Sequence, residues 1–142
     1  MTSKVSKSIG AIVVNDQHDV LLLFRTFQRF WEFPKEKPHP GESEDATLRR
    51  GLKEEIGVEK FEFIQPFREE VYFDFQLGDE MINRQITYFA VHTNDSIKIS
   101  EEHSQVGWFT FEKAKERLQF DNYRRLVDKL QTVLPKSPFK RA

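Results

Sequence analysis

Apolar residues in the first part of the chain fall into short runs that turn-forming residues separate. Residues 9–14 are almost wholly apolar, Asn15 follows them, and residues 20–24 form a second apolar run. The polar residues between the two runs favour a turn, so the pattern predicts a β-hairpin. Residues 31–33 predict a short third strand, because Pro34 cannot donate the backbone hydrogen bond that would continue it.

The apolar period changes from strand-like to helical after a loop that holds three prolines and a glycine. Such a loop has too many prolines for regular structure. Leu48, Leu52 and Ile56 then recur every four residues, which predicts a helix over about residues 43–56 with one buried face. Gly57 follows directly and favours the left-handed conformation in which many helices end.

The second half of the chain alternates between strand-like and helical patterns. The predicted strands cover residues 61–64, 70–77, 84–91, 97–99 and 107–109. Gly78 and Asp79 favour a turn, so residues 70–91 predict a long hairpin. The predicted helices cover residues 111–118 and 121–134.

Strands and helices are interspersed along the chain, and hairpins outnumber strand–helix–strand units. This favours an α/β fold of the α+β kind, in which helices cover a mixed β-sheet. At 142 residues the chain is long enough for one substantial core, and we expect a single domain over residues 1–142. Residues 1–7 and 135–142 are expected to be flexible ends.

Composition and charge limit the classes of partner. The chain is 38% hydrophobic and 32% charged with a net charge of −1, which is typical of a globular protein in water. So small a net charge predicts no general attraction to nucleic acid or to membrane surfaces. Cysteine is absent, which excludes disulfides and thiolate metal sites, and no apolar run approaches the roughly 18 residues of a membrane span. We therefore expect a cytoplasmic protein.

The predicted helix and the loop before it carry complementary charges. Glu54 projects away from the apolar face of the helix, whereas Glu55 lies on its flank. Carboxylates on a helix supply the oxygen ligands that hard divalent cations prefer, and Lys35 and Lys37 in the loop can meet phosphate oxygens. Such a set suits metal-assisted phosphate chemistry. An ordinary solvated amphipathic helix has the same pattern, so from these residues alone both interpretations stay open.

Residues 31–58, WEFPKEKPHPGESEDATLRRGLKEEIGV, resemble the signature of the Nudix hydrolases. That signature is a glycine, five residues, a glutamate, seven residues, and then Arg-Glu-apolar-x-Glu-Glu-x-Gly-apolar. The matching positions include Glu42, Arg50, Glu54, Glu55 and Gly57. The resemblance implies a mixed sheet sandwiched between helices, and a hydrolase that uses Mg²⁺ or Mn²⁺ to cleave a nucleoside diphosphate linked to another moiety. It also implies that Glu54 and Glu55 are catalytic metal ligands and that Glu42, Arg50 and Gly57 have structural roles.

Two positions depart from this signature, because Glu36 replaces its first glycine and Gly51 replaces the glutamate after the arginine. In the family that glutamate typically helps to hold the metal, and a glycine in mid-helix costs about 0.5–1 kcal/mol relative to alanine. Glu36 is a candidate metal ligand that could reach toward position 51, and a loop glutamate pointing into solvent is the alternative. A hydrolase of reduced activity and a module that binds a nucleotide without hydrolysing it both stay open. If the chain only binds the nucleotide, we expect Gly51→Glu to raise its activity, and unchanged activity would indicate that the missing carboxylate is not the limitation.

A second resemblance lies at residues 99–109, ISEEHSQVGWF. The spacing of Glu102, His103 and Trp108 resembles that of the diadenosine tetraphosphate hydrolase subfamily. This implies that Glu102 is a further catalytic metal ligand or a water-activating base, and it makes His103 a candidate for substrate binding.

Aromatic and basic side chains are the candidates for binding the rest of a nucleotide. Tyr88 lies on the strand where that subfamily carries an aromatic residue, and Tyr72 and Phe75 are its rivals as a platform for the base. Arg25, at the end of the second predicted strand, is expected to face the phosphates together with the two loop lysines.

The resemblance favours a dinucleoside polyphosphate such as diadenosine tetraphosphate as the substrate. Capped RNA 5′ ends, nucleoside triphosphates and nucleotide sugars stay open as alternatives within the same chemistry. A nucleotide small molecule is therefore the expected partner, a membrane is not, and the near-neutral net charge argues against long RNA. The sequence predicts no particular oligomeric state.

Overall fold

A computed structural model describes residues 2–134, which form seven strands and three helices. The strands are β1 (Thr2–Val14), β2 (Val20–Arg25), β3 (Phe30–Glu32), β4 (Lys35–Glu36), β5 (Glu62–Leu77), β6 (Glu80–His92) and β7 (His103–Phe109). The helices are α1 (Glu44–Ile56), α2 (Phe111–Arg117) and α3 (Asp121–Val133). None of the described helices is long and apolar enough to cross a membrane.

All seven strands belong to one mixed sheet. The strands β1 and β6 run parallel along their whole lengths, and β5 pairs with β6 as the predicted antiparallel hairpin. The strand β2 pairs antiparallel with β3 and with β7, and the two-residue strand β4 pairs with β1. Val14 and Val20 are the one pair that joins β1 to β2 in the described chain, so β6 rather than β2 is the main partner of β1.

Alternation along the strands places apolar side chains on both faces of the sheet. One face packs against α1, and the buried residues of this layer are Ile9, Ala11, Val13, Leu21, Leu23, Leu48, Leu52, Ile56, Val58 and Val91. The other face packs against α2 and α3, and its buried residues include Ile12, Val14, Leu22, Phe33, Tyr88, Ala114, Tyr123, Leu126 and Leu130. The predicted fold class, a mixed sheet between helices, is confirmed.

Local signals set both ends of α1. The Ser43 hydroxyl accepts a hydrogen bond from the Ala46 amide at 3.1 Å, which caps the first turn. Gly57 is left-handed, with φ at +70°, and follows the last helical residue as the sequence predicts. Leu48 and Leu52 lie on the buried face, so packing against the sheet holds this 13-residue helix in place.

Three segments of the sheet differ from the sequence-based expectations. Lys35 and Glu36 lie in the proline-rich loop that was predicted to have no regular structure, but they form β4 because they pair with Gly10 and Ile9 of β1. Residues 2–7, which were expected to be flexible, extend β1, because β6 continues far enough to pair with them. Residues 61–64 and 70–77 were predicted as two strands, but a single strand, β5, spans most of both and the residues between them. A register shift between Phe63 and Arg68 lies where the two predicted strands were separated. Residues 135–142, the other predicted flexible end, lie outside the described residues.

The predicted edge strand at residues 97–99 is not a strand. The Lys98 amide donates to the Ile56 carbonyl at 2.8 Å, and the Ser100 amide donates to the Glu55 carbonyl at 3.1 Å. The segment therefore satisfies carbonyl groups at the end of α1, which a helix leaves without partners of its own.

Leu52→Ala is expected to lower the free energy of unfolding by about 2–5 kcal/mol, because Leu52 is 2% exposed and its loss leaves a cavity between α1 and the sheet. Lys53→Ala, on the exposed face of the same helix, is the matched control and should change that free energy by less than about 0.5 kcal/mol. Urea denaturation followed by circular dichroism measures both values. Equal effects of the two substitutions would contradict the burial of this helix face.

Candidate active site

A polar cavity of about 410 Å³ opens beside the C-terminal half of α1. It collects most of the residues predicted to act in the site, namely Arg25, Lys35, Glu36, Lys37, Glu54, Glu55 and Glu102. They come from β2, β4, the loop after β4, α1 and the turn before β7. Segments that are far apart in sequence therefore supply carboxylates and cationic groups to one concave surface.

A buried carboxylate, Glu32, ties the wall of this cavity together. Its side chain is 1% exposed, and it accepts hydrogen bonds from Arg25 Nε at 2.6 Å, Lys35 Nζ at 2.6 Å and His103 Nε2 at 2.9 Å. Burial favours the neutral acid, but the hydrogen bond from His103 and the two ion pairs outweigh it and lower the pKa of Glu32 to about 2. The ionised carboxylate thus joins β2, β3, β4 and β7.

Strand register brings these four side chains together. Glu32 ends β3, its neighbouring strand β2 ends in Arg25, and Arg25 lies opposite His103 of β7. Sequence reasoning missed Glu32 as a site residue. The available signal is a glutamate between the apolar residues Trp31 and Phe33, a position where an acidic side chain is buried only if it is paired.

The position of His103 corrects its predicted role. Its side chain is buried against Glu32 and does not line the cavity, so it is not placed to bind substrate. Because Glu32 is ionised, their shared hydrogen bond requires a proton on His103 Nε2. His103 anchors the start of β7 and thereby positions the preceding residue, Glu102, which is exposed at the cavity.

Tyr88 is likewise in the core and not at the cavity. Strand alternation turns its ring toward α3, where it packs edge-to-face against Phe33 and Tyr123. The ring also lies over Gly10 of β1, where a Cβ atom would come within 2.4 Å of it. A nucleobase has no access to a residue that is 0% exposed, so Tyr88 is not the base platform that the sequence predicts.

An aromatic cleft of about 300 Å³ adjoins the polar cavity and shares Lys35 and Arg84 with it. Its aromatic lining consists of Phe30, Phe73, Phe75, Phe120 and Tyr123. Phe75, one of the two predicted rivals of Tyr88, therefore lies at this cleft, whereas Tyr72 lies on a different surface beside α3. An aromatic wall next to a cationic one suits a nucleoside that is joined to phosphate.

Arg84 is a further cavity residue that sequence reasoning missed. It lies between Ile82 and Ile86 at an inward position of β6, and this position for a charged residue is the one signal in the sequence. Its Nε is buried and has no hydrogen-bond partner among residues 2–134, and its guanidinium carbon lies 5.3 Å from the centre of the Phe75 ring. Arg84 lines both the cavity and the cleft, so an unused donor lies where the two meet.

Glu55 is a buried carboxylate that has no cationic side chain bonded to it among residues 2–134. It is 6% exposed, and its Oε2 accepts a hydrogen bond from the Lys35 amide at 3.0 Å. Within the described chain it forms no ion pair, because Lys35 Nζ is bonded to Glu32 instead. Burial raises the pKa of Glu55 to about 8, and the charge of Lys35 opposes this shift while that of Glu32 adds to it.

Arg50 holds the loop against α1. Its guanidinium donates to the Glu42 carboxylate through Nε and Nη2, both at 2.9 Å, and Nη2 also donates to the Lys37 carbonyl at 2.6 Å. The hydrogen bonds from Arg50 hold the pKa of Glu42 well below its usual range. These contacts fasten the loop to the start of α1. Glu54 lies on the exposed side of the helix, as its position predicts, with Oε2 3.2 Å from Arg50 Nη1.

The donor set of the cavity fits a hard divalent cation. Glu36, Glu54, Glu55 and Glu102 supply the carboxylate oxygens that Mg²⁺ and Mn²⁺ prefer, and Glu55, once ionised, has no ion-pair partner among residues 2–134 to compete with a cation. Between residues 2 and 134, no three acidic or histidine side chains converge as a ready-made metal centre. The carboxylates therefore line the cavity as separate donors, and the donors other than Glu55 have more exposed side chains that can adjust to a ligand.

Comparison with known proteins gives a family match for most of the chain. The family model described as the NUDIX domain matches residues 4–130. The RNA pyrophosphohydrolase of Yersinia enterocolitica is 36% identical over 53 residues, which are 37% of this chain and 30% of that protein. The chain thus spans less than a third of this curated relative.

Solved structures share the fold at low sequence identity. The Ap4A hydrolase of C. elegans, in a binary complex, has a TM-score of 0.75 and 20% identity, with 89% of this chain and 96% of that chain covered. The dihydroneopterin triphosphate pyrophosphohydrolase of E. coli has a TM-score of 0.66 and 18% identity, with coverage of 87% and 92%. At such identities the likeness establishes the fold alone.

The raised pKa of Glu55 predicts a specific dependence of stability on pH. Its carboxyl ionises near pH 4.5 in an unfolded chain but near pH 8 in the folded protein, so Glu55 lowers the free energy of unfolding as the pH rises between these values. Glu55→Gln removes this decrease in the free energy of unfolding, because glutamine does not ionise. In a chelating buffer at about pH 9, we expect the variant to be more stable than the parent by an amount on the order of 4 kcal/mol, and this difference should shrink toward pH 4.5.

The neighbouring substitution Glu54→Gln is the control, because this more exposed carboxylate should give no comparable gain with rising pH. Urea unfolding at a series of pH values measures both differences from the parent. A difference between Glu55→Gln and the parent that stays constant across the series would show that the Glu55 carboxyl titrates normally.

Proposed function

The chain belongs to the NUDIX domain family, and on that premise we propose that it is a metal-dependent pyrophosphohydrolase. It cleaves a nucleoside diphosphate linked to another moiety, with a dinucleoside polyphosphate such as diadenosine tetraphosphate as its substrate. The observation that carries the proposal is Glu55, a buried carboxyl that forms no ion pair with any of residues 2–134 and lies in the wall of a cavity that cationic side chains also line. The cofactor of the proposal is Mg²⁺ or Mn²⁺, whose charge would stabilise the ionised form of this carboxyl.

Glu54, Glu55 and Glu102 are the residues proposed to hold the cation. When held there, the cation would supply charge neutralisation for the phosphates and would activate a water toward phosphorus. Glu55 provides a rigid ligand, because its burial on α1 and the Lys35 amide hold its carboxylate in position. Glu102, exposed in the turn before β7, is also the proposed acceptor of the proton that the attacking water loses.

Cationic side chains around the cavity bind the phosphate chain. Arg25 and Lys37 line the cavity, and Arg84 adds a buried donor that no described protein group accepts from. The Lys35 ammonium donates a hydrogen bond to Glu32, so its positive charge is fixed in position where the cavity and the cleft meet. Together these groups offset the negative charge that builds up on the leaving phosphate.

The aromatic cleft, rather than Tyr88, is the proposed site for a nucleobase. Phe30, Phe75 and Phe120 provide ring surfaces there that are at least partly exposed. Stacking of a base on an aromatic side chain contributes about 1–3 kcal/mol and depends little on which base it is. Because the cleft adjoins the cationic wall, one nucleoside of a dinucleoside polyphosphate can occupy it while the phosphates extend into the cavity.

Release of pyrophosphate from RNA 5′ ends is a second candidate function, because the matched segment of the Yersinia enterocolitica relative belongs to an RNA pyrophosphohydrolase. The phosphorus chemistry is the same, and only the moiety beyond the first nucleoside differs. A net charge of −1 argues against extended contacts with an RNA chain, since such contacts depend on many cationic groups. Rates on diadenosine tetraphosphate and on a 5′-triphosphorylated RNA, measured in one assay, decide between the two.

Glu55→Gln is expected to reduce Mg²⁺- or Mn²⁺-dependent turnover of diadenosine tetraphosphate by at least about 100-fold, because it removes the buried ligand charge. Lys53→Ala, on the exposed face of α1 and outside the cavity, is the matched control and should keep the parental rate. Chromatographic separation of the nucleotide products measures both rates. Parental turnover in Glu55→Gln would refute the assignment of α1 as the metal site. Tight binding of the nucleotide by the parent without any product would instead indicate a binding module.

Phe75→Ala is expected to raise KM for diadenosine tetraphosphate roughly 5- to 100-fold with little change in kcat, because it removes a ring of the cleft and leaves the metal ligands in place. Tyr72→Ala is the control, since Tyr72 lies on the same strand but outside the cleft. Steady-state kinetics of the two variants gives the comparison. A KM in Phe75→Ala equal to that of the parent would exclude this cleft as the base site.

A further inference from the structure

We propose that Glu36 and Gly51 form one reciprocal exchange, in which a loop carboxylate takes the place of the helix carboxylate that the Nudix signature has at position 51. In this chain, an acidic donor of the cavity then comes from β4, and Gly51 is the residue that gives it room. The inference rests on the proposed function, because it assigns Glu36 to the same cation site.

Gly51 lies in direct contact with Glu36. It is buried in α1, and a Cβ atom placed on it would lie 2.7 Å from Glu36 Cβ and 3.5 Å from Glu36 Cγ. Carbon atoms attract each other near 3.5–4.0 Å and repel strongly at much shorter separations. A Cβ atom is also bonded to the backbone, so side-chain rotation cannot move it away. Any side chain at position 51 is therefore incompatible with Glu36 in its present place, which gives this mid-helix glycine a physical reason.

The short strand β4 directs the Glu36 side chain toward α1. Glu36 pairs with Ile9 of β1, and Ile9 packs on the α1 face of the sheet. The adjacent residue, Lys35, points the other way and reaches Glu32. The space left among Glu36, Gly51 and their neighbours is about 10 Å³, at the lower limit for one water molecule. The stem of Glu36 therefore fills the gap that the glycine leaves on the helix.

The Glu36 carboxylate lies in the cavity wall together with Glu54 and Glu55. Its Oε1 accepts a hydrogen bond from the Lys37 amide at 3.0 Å. Its Oε2 lies 3.7 Å from Arg50 Nη1, which is too far for a hydrogen bond. One oxygen thus anchors the group and the other is only weakly held. A side chain at position 51 would project between Glu54 and Glu55 on the helical wheel, and Glu36 brings a carboxylate to that region from outside the helix.

This contact reverses the sequence-based expectation for Gly51→Glu. A glutamate added at position 51 while Glu36 is present collides with the Glu36 stem, so the single substitution should disturb the site and not complete it. Glu36→Gly alone removes the carboxylate and leaves the gap unfilled. The paired substitution Glu36→Gly with Gly51→Glu restores the signature without the collision.

Mn²⁺ binding in the absence of substrate tests the exchange, with isothermal titration calorimetry for Kd and thermal unfolding for Tm. Glu36→Gln keeps the packing and removes the charge, so it should leave Tm nearly unchanged and raise the Mn²⁺ Kd at least about tenfold. Gly51→Glu should lower Tm. The paired variant should regain both the Tm that Gly51→Glu loses and the Mn²⁺ affinity that Glu36→Gly loses. Glu59→Gln, outside the cavity, controls for the loss of one negative charge.

Several outcomes would overturn the exchange: a parental Mn²⁺ Kd in Glu36→Gln, a paired variant in which the two single effects simply add, or a parent that does not bind Mn²⁺. Hydrolysis of diadenosine tetraphosphate, measured on the same samples, separates this inference from the proposed function. Mn²⁺ binding that weakens in Glu36→Gln, in a parent that hydrolyses no nucleotide, would refute the proposed function and support the exchange. A parent that hydrolyses the nucleotide, with unchanged Mn²⁺ binding in Glu36→Gln, would support the proposed function and refute the exchange.

Discussion

Charge neutralisation around the buried carboxylate of Glu32 is the constraint on which the rest of the site depends. A carboxylate so deeply buried stays ionised only when donors and cations surround it, and Arg25, Lys35 and His103 all do so. Their hydrogen bonds to Glu32 hold the ends of β2, β3 and β7 together in the cavity wall. Among residues 2–134 this arrangement also leaves the neighbouring buried carboxyl, Glu55, without an ion-pair partner, because Lys35 Nζ is bonded to Glu32. The fold therefore places in the cavity wall a buried carboxyl that ionises only near pH 8, and a divalent cation is suited to stabilise its ionised form.

Neighbouring residues of α1 differ in burial because only one face of the helix packs on the sheet. Leu52 and its apolar neighbours press the helix onto the sheet, and Glu55, at the edge of that face, shares their burial. Glu54 is the preceding residue, yet its side chain is 55% exposed. Position 51 lies where the helix meets β4, and the Glu36 side chain fills the space next to it. In the proposed exchange, what the site requires is a carboxylate in this region of the cavity, whichever segment of the backbone carries it.

Patterns of local origin were predictable from the sequence, and contacts between distant segments were not. The apolar period of α1 predicted both the helix and the contrast in burial between Glu54 and Glu55. The hairpin of β5 and β6 was predicted by its turn, but the parallel pairing of β1 with β6 joins segments that no local pattern connects. Tyr88 and His103 were assigned to the substrate, and the structure buries both. The burial of Tyr88 depends on a glycine of β1, and that of His103 on a carboxylate of β3. Arg84 was missed because a charged residue at an inward strand position becomes a site residue only through the cavity that other segments form around it.

The titration of the Glu55 side chain tests the central claim most directly, because it reports the missing counter-ion itself. Carbon-13 NMR of the side-chain carboxyl, assigned through Glu55→Gln, follows its ionisation in chelating buffer and again with Mg²⁺. In the chelating buffer the account predicts a midpoint near pH 8, and Mg²⁺ should move that midpoint to lower pH because the cation stabilises the ionised form. A midpoint near the ordinary value of 4.5 that Mg²⁺ leaves in place would contradict the account.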